Sequence, residues 1–206
     1  ASVRWSCPMA EPRHVRLAVL LSGSGRTLEN LLEWIAAGRL AATVEIVVSS
    51  RAEVRGVQIA ERAGVAVRVL PPGGQEFAVW SEEVFAACRQ AGAELVVMAG
   101  FLHLVRIPRD FVGRVINIHP SLLPAFGGQG FHGMHVHRAV LDRGCTVSGC
   151  TVHLVDDEYD HGRVVLQKTV PVLPDDSPES LAARVFAAEC ETLPEAIGRL
   201  RRSSFS

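Results

Sequence analysis

The chain has 206 residues, a formal net charge of −1, and 48% hydrophobic against 21% charged residues. That length accommodates one sizeable core. The near-zero charge lacks the basic footprint of a nucleic-acid or anionic-membrane partner, and no apolar run approaches the roughly 18 residues of a membrane span.

Ala1 to Pro12 is short, mixed in character and punctuated by proline. It lacks the apolar centre of a signal peptide, so a disordered tail is expected over 1–12, with Met9 as a candidate natural start. A single domain is expected over 13–206. Cys7, Cys88, Cys145, Cys150 and Cys190 are odd in number and have no Cys-x-x-Cys spacing. Free thiols in a reducing compartment fit this pattern better than disulfides or zinc, which predicts a cytoplasmic protein.

Val15 to Leu21 reads as a buried strand, and Leu28, Leu31, Leu32 and Ile35 then fall at helical spacing before Gly38. A second strand is predicted over Val44–Ser49, a helix over Val54–Ala63, a third strand over Ala66–Leu70 and a helix over about Glu76–Ala91. Leu95–Ala99 and Val115–His119 are the fourth and fifth strands, and a helix lies near Val136–Asp142. Thr146–Val155 and Val164–Val172 flank a short polar turn and read as a β hairpin. Ser177-Pro178 opens the last helix, which carries Leu181, Val185, Ala188 and Ile197 on its apolar face. Continuous apolar strands joined by helices predict a Rossmann-like, three-layer α/β sandwich. Its sheet is mostly parallel, with the antiparallel hairpin added.

Three segments carry candidate chemistry. In Asn117-Ile118-His119-Pro120 the period-two geometry of a strand puts Asn117 and His119 on one face. They stand at a strand's carboxyl end, where open α/β sheets bind ligands. Ser22-Gly23-Ser24-Gly25-Arg26-Thr27 joins the first strand to the first helix. Its glycines permit close backbone approach, and the helix N-terminus behind them suits an anion. Leu28 occupies the position of the third glycine in a dinucleotide fingerprint, and Ser49-Ser50-Arg51 replaces the expected acidic residue. A single phosphate, with Arg26 as an added cation, therefore fits better than NAD. Asp156-Asp157-Glu158-Tyr159-Asp160-His161-Gly162 lies between the hairpin strands. Four carboxylates there make either a solvated turn or the source of one proton partner for the Asn117–His119 pair. His132, His135 and His137 have no acidic or thiol partner nearby in sequence, so a loop-ordering role is expected and no metal.

Asn117-Ile118-His119-Pro120-Ser121-Leu122-Leu123-Pro124, Ser22-Gly23-Ser24-Gly25, Ala99-Gly100-Phe101 and Asp157-Glu158-Tyr159-Asp160-His161-Gly162 occur together in one chain. From about Arg16 to Leu200 the chain resembles the phosphoribosylglycinamide formyltransferases, of the 10-formyltetrahydrofolate formyltransferase superfamily. The resemblance implies the formyltransferase fold and transfer of a formyl group from 10-formyltetrahydrofolate to glycinamide ribonucleotide in purine biosynthesis. It implies catalytic roles for Asn117, His119 and Asp160, with His119 protonated. Gly25, Arg26 and Thr27 would hold the substrate phosphate, and Gly133 and Glu189 the rest of that substrate. Leu102, His103 and Leu104, with the loop of Val155, Asp156 and Asp157, would meet the folate cosubstrate. His103 stands where many relatives carry Arg or Lys, and His161 where glycine is common. The expected partners are these small molecules, with no nucleic acid or membrane, in a monomer or homodimer. Related enzymes use the same trio: formyltetrahydrofolate hydrolase, with an N-terminal regulatory domain, and methionyl-tRNA formyltransferase, with a C-terminal β domain. At 206 residues neither extra domain is expected. A phosphate-binding α/β module without catalysis is the rival from another class.

Overall fold

The structure is a computed structural model that describes residues 14–202; the segment 1–12 lies outside the described residues. Strands β1 (Val15–Leu21), β2 (Ala42–Ser49), β3 (Ala66–Val69), β4 (Leu95–Met98), β5 (Val115–His119), β6 (Val147–Leu154) and β7 (Val164–Pro171) form one seven-stranded sheet. Its order is β3-β2-β1-β4-β5-β6-β7. The first five strands run parallel, and β6 pairs antiparallel with both β5 and β7.

Helices α1 (Arg26–Ala36), α2 (Arg55–Arg62), α3 (Phe77–Gln90), α4 (Met134–Asp142) and α5 (Pro178–Arg202) cover the sheet. The two faces follow from strand alternation. Leu17, Val19 and Leu21 of β1 pack in one cluster with Leu28, Leu31, Ile59, Leu193 and Ile197. Ala18 and Leu20 face the other way, onto Trp80, Val84 and Phe85 of α3. Because β1 is buried on both faces, its sequence is continuously apolar rather than alternating.

The predicted α/β sandwich and hairpin agree with this architecture, most element ends differing by one or two residues. A single 3₁₀ turn at Arg109–Phe111 has no counterpart among the predicted elements. Three residues carry no periodicity to read, although Phe111 is buried and anchors the turn in the α3 cluster. At the start of α5, Ser180 N–H donates to Ser177 Oγ at 3.2 Å, and Ser177 N–H donates to Ser180 Oγ at 3.0 Å. This reciprocal cap explains why the helix begins where Ser177-Pro178 predicts. The strand order reverses where β1 lies beside β4. The loops leaving these two strands separate there, opening a crevice at the carboxyl ends of the strands.

Candidate active site

At the end of β5, Asn117 and His119 share a strand face and both line a cavity of about 590 Å³. The neighbouring β6 runs antiparallel and sets His153 directly across from Asn117, and Thr151 across from His119. After β6 the chain turns back, and Asp160, at φ 54°, re-enters the cavity. Its Oδ2 lies 3.3 Å from His119 Nδ1, and its Oδ1 lies 3.6 Å from His153 Nε2. Asn117 Nδ2 is 3.2 Å from His153 Nε2 and 3.4 Å from Asp160 Oδ1. The Gly128 amide donates to the same Asp160 Oδ2 at 3.0 Å, fixing the carboxylate. His119, only 4% exposed, places Nε2 2.8 Å from the Phe126 carbonyl.

The same cavity is bordered by the β1–α1 loop. Gly25 is the N-cap of α1 at φ 69°, and Arg26 and Thr27 follow it along the wall. From the β4 side come Leu102, His103 and Leu104. Leu102 N–H donates to Ser22 Oγ at 3.2 Å, and Ser50 Oγ donates to the same oxygen at 2.7 Å, so a buried serine pair ties this loop to β1. His103 meets Trp80 and Phe101 edge-on at 5.8 and 5.6 Å. Gly133 and Glu189 complete the far side, and Val155 the near one.

Asp156 and Asp157 do not line the cavity. Asp156 accepts from the Glu158 amide at 3.0 Å and faces His161 Nδ1 at 2.8 Å. Asp157 accepts from the Ile107 amide at 3.3 Å. These two carboxylates order the loop, while Glu158, Tyr159 and Asp160 present it to the cavity. His132, His135 and His137 do not assemble a metal-ligand cluster among the described residues. His137 instead lines the cavity, with a buried Nδ1 that finds no partner among the described residues.

Residues 15–197 match the formyl transferase family. The chain belongs to that family. It is 38% identical over 194 residues to the chloroplastic phosphoribosylglycinamide formyltransferase of Arabidopsis thaliana, covering 92% of this chain and 66% of the plant protein. It is 33% identical over 195 residues to the Escherichia coli phosphoribosylglycinamide formyltransferase, covering 91% and 90% respectively. The crystal structure of glycinamide ribonucleotide transformylase 1 from Symbiobacterium toebii superposes with a TM-score of 0.86 at 37% identity, over 94% of this chain and 90% of that one. The chain spans less than two thirds of the length of the plant relatives, at 66% and 61%.

Within this formyl transferase domain the electrostatics of the trio differ from the sequence expectation in one respect. Burial holds the His119 ring below its ordinary pKa, overriding the opposing pull of the Asp160 carboxylate and the Phe126 carbonyl. The lowered pKa favours the neutral ring at neutral pH, in contrast to the standing imidazolium that the resemblance implies. Its 2.8 Å contact to a carbonyl places the ring proton on Nε2. Nδ1 then faces Asp160 as a lone pair, and that contact becomes a charge-assisted hydrogen bond only when the ring gains a proton. Burial would raise the Asp160 carboxyl, but its polar contacts, the donating Gly128 amide among them, outweigh this and keep the group below its usual value. His153 Nδ1 sits 2.8 Å from the Leu154 carbonyl, which assigns its proton there and leaves Nε2 to accept from Asn117.

His153 is the functional residue that the sequence conceals. A signal exists, since an antiparallel β6 must oppose β5 and Thr151 alternates with His153. The register itself is set by the long-range β5–β6 pairing, which the alternation within β6 alone does not specify.

Glu189 has the largest displacement of any acid at this site. Burial pushes its carboxyl up to about 7, with Arg26 acting in the opposite direction. A raised folded-state pKa favours folding below the unfolded value of 4.5 and loses that contribution as pH rises through about 7. Glu189→Gln should therefore gain stability relative to the unsubstituted protein as pH increases across this window. Melting temperatures of the two proteins at a series of pH values will test this. A constant difference from low to neutral pH would contradict it.

Proposed function

We propose that this formyl transferase moves a formyl group from 10-formyltetrahydrofolate to the primary amine of glycinamide ribonucleotide. The observation that carries the reading is the convergence of Asn117, His119 and Asp160 in a cavity whose other walls are the α1 N-terminus and the 102–104 loop. One end suits a phosphate, the other a flat apolar ring system, and the reacting groups lie between them.

Attack of a neutral amine on the formyl carbon forms a C–N bond and a tetrahedral oxyanion. Asn117 is the donor for that oxyanion. Its amide is oriented by His153, and its long 3.4 Å contact to Asp160 is the one readily exchanged for the developing charge. The His119–Asp160 pair accepts the proton that the amine nitrogen releases once it has attacked, and returns it to the departing folate nitrogen as the bond between that nitrogen and the formyl carbon breaks. A neutral, buried ring suits this task better than a permanent imidazolium, because it has room for the proton. Once charged, it has an acceptor at each nitrogen: Asp160 at Nδ1 and the Phe126 carbonyl at Nε2. No cysteine lines the cavity among the described residues, and no covalent enzyme intermediate is needed.

The test is an absorbance assay for release of the tetrahydrofolate product with and without glycinamide ribonucleotide. Product release should require the ribonucleotide. Equal turnover with water alone would assign the same trio to hydrolysis.

A further inference from the structure

Arg26 is held in an unusual way for a cation in a polar cavity. Its guanidinium carbon lies 3.7 Å from the centre of the Phe186 ring. Among the described residues no hydrogen bond or ion pair engages its five N–H donors. Beside it, the first backbone bond of α1 runs from Glu29 N–H to the Gly25 carbonyl. The amides of Arg26, Thr27 and Leu28 therefore have no intrahelical acceptor. An exposed cation with unspent donors next to three free amides forms a concave site for a dianion.

Phe186 comes from a different part of the chain. It stands on α5, three residues before Glu189, and both side chains line the cavity. Glu189 feels the charge of Arg26 without reaching ion-pair distance. A guanidinium released from the ring would have that carboxyl group as a competing partner, and the cation would then be drawn away from the helix terminus. The face of the ring resists this, since its negative quadrupole attracts the cation without consuming a hydrogen-bond donor. All five N–H groups remain free for a ligand.

We infer that Phe186 is a positioning residue that fixes Arg26 as the cation of a phosphate-monoester pocket, acting through the stacked guanidinium and not by touching the phosphate. The inference rests on the reading of this cavity as the site of a phosphorylated amine. It goes beyond that reading by assigning the ring a role in affinity for the phosphorylated partner.

The experiment is a double-mutant cycle with ribose 5-phosphate as the probe and Kd measured by calorimetry. Phe186→Leu should weaken binding by about fivefold to tenfold, the range of a partly exposed cation–π contact. Phe186→Tyr, which keeps the aromatic face, should restore most of the affinity. In an Arg26→Met background, Phe186→Leu should add nothing. In turnover, Phe186→Leu should raise the KM for the ribonucleotide and leave the KM for the formyl donor within about twofold, since the ring acts only on the phosphate end. An undiminished loss in the Arg26→Met background would overturn the inference, as would wild-type affinity in Phe186→Leu or failure of the unsubstituted protein to bind the probe. The probe has no amine. Arg26- and Phe186-dependent binding by a protein that transfers no formyl group would therefore sink the catalytic reading alone.

Discussion

Asn117→Ala, His119→Ala and Asp160→Ala should each lower kcat by on the order of a hundredfold or more. Asn117 is the oxyanion donor, and loss of such a donor costs roughly 3–4 kcal/mol of transition-state stabilisation. His119→Ala removes the proton store. Asp160→Ala removes its counter-charge and also the acceptor of the Gly128 amide, 3.0 Å away. Because Asp160 touches His119 at 3.3 Å and Asn117 at 3.4 Å, the three act as a unit. Any double variant should therefore lose less than the product of its singles. All three are polar groups beside a cavity rather than apolar members of the packed clusters, so folding should persist. Steady-state kinetics with both substrates saturating, alongside a melting curve, will check this. Single variants that turn over near the wild-type rate would remove the assignment of the trio.

Gly25→Ala should unfold more readily, and the reason is not the one the sequence suggests. A Gly-rich loop before a helix invites the idea that a Cβ would obstruct the ligand. In the structure, a Cβ on Gly25 would collide with the Gly56 Cα and would press Ile59 Cδ1 at 3.1 Å. Gly56 is itself confined, since its own Cβ would meet Leu21 at 2.8 Å and the Gly23 carbonyl at 3.0 Å. The Gly56 amide already donates to that carbonyl at 3.0 Å. The β1–α1 loop and the start of α2 thus cross with no space for a side chain on either. At φ 69° an alanine also carries left-handed backbone strain. Overpacking and strain together should cost roughly 3 kcal/mol or more, visible as a lower urea midpoint. A raised ribonucleotide KM at unchanged stability would show that the ligand, not Gly56, is what crowds Gly25. Gly23, whose Cβ would meet nothing within 4 Å, is the better position for probing the phosphate loop alone.

The parts of the site that are legible in the sequence depend on short-range periodicity. Asn117 and His119 share a face because a strand repeats every two residues, and the β1–α1 loop declares itself by glycine at a strand-to-helix junction. The hidden parts depend on long-range register or on a single dihedral. His153 faces Asn117 only through the β5–β6 pairing. Phe126 reaches His119 through a carbonyl at a residue with φ 55°, which side-chain chemistry does not reveal. Four carboxylates crowd the β6–β7 turn, and composition alone cannot separate the two that order the loop from Asp160, which a left-handed backbone turns inward. The charge state of His119 is illegible for a related reason. An acidic neighbour is readable from sequence, whereas the burial that outweighs it is a property of the packed molecule.

The most direct measurement of the central claim is the fate of the formyl carbon. With 10-formyltetrahydrofolate labelled at that carbon and glycinamide ribonucleotide in excess, mass spectrometry should find the label in the N-formyl product, with free formate at background. Without the ribonucleotide, the label should remain on the folate. Label recovered mainly as formate, at the same rate with or without the amine, would contradict formyl transfer.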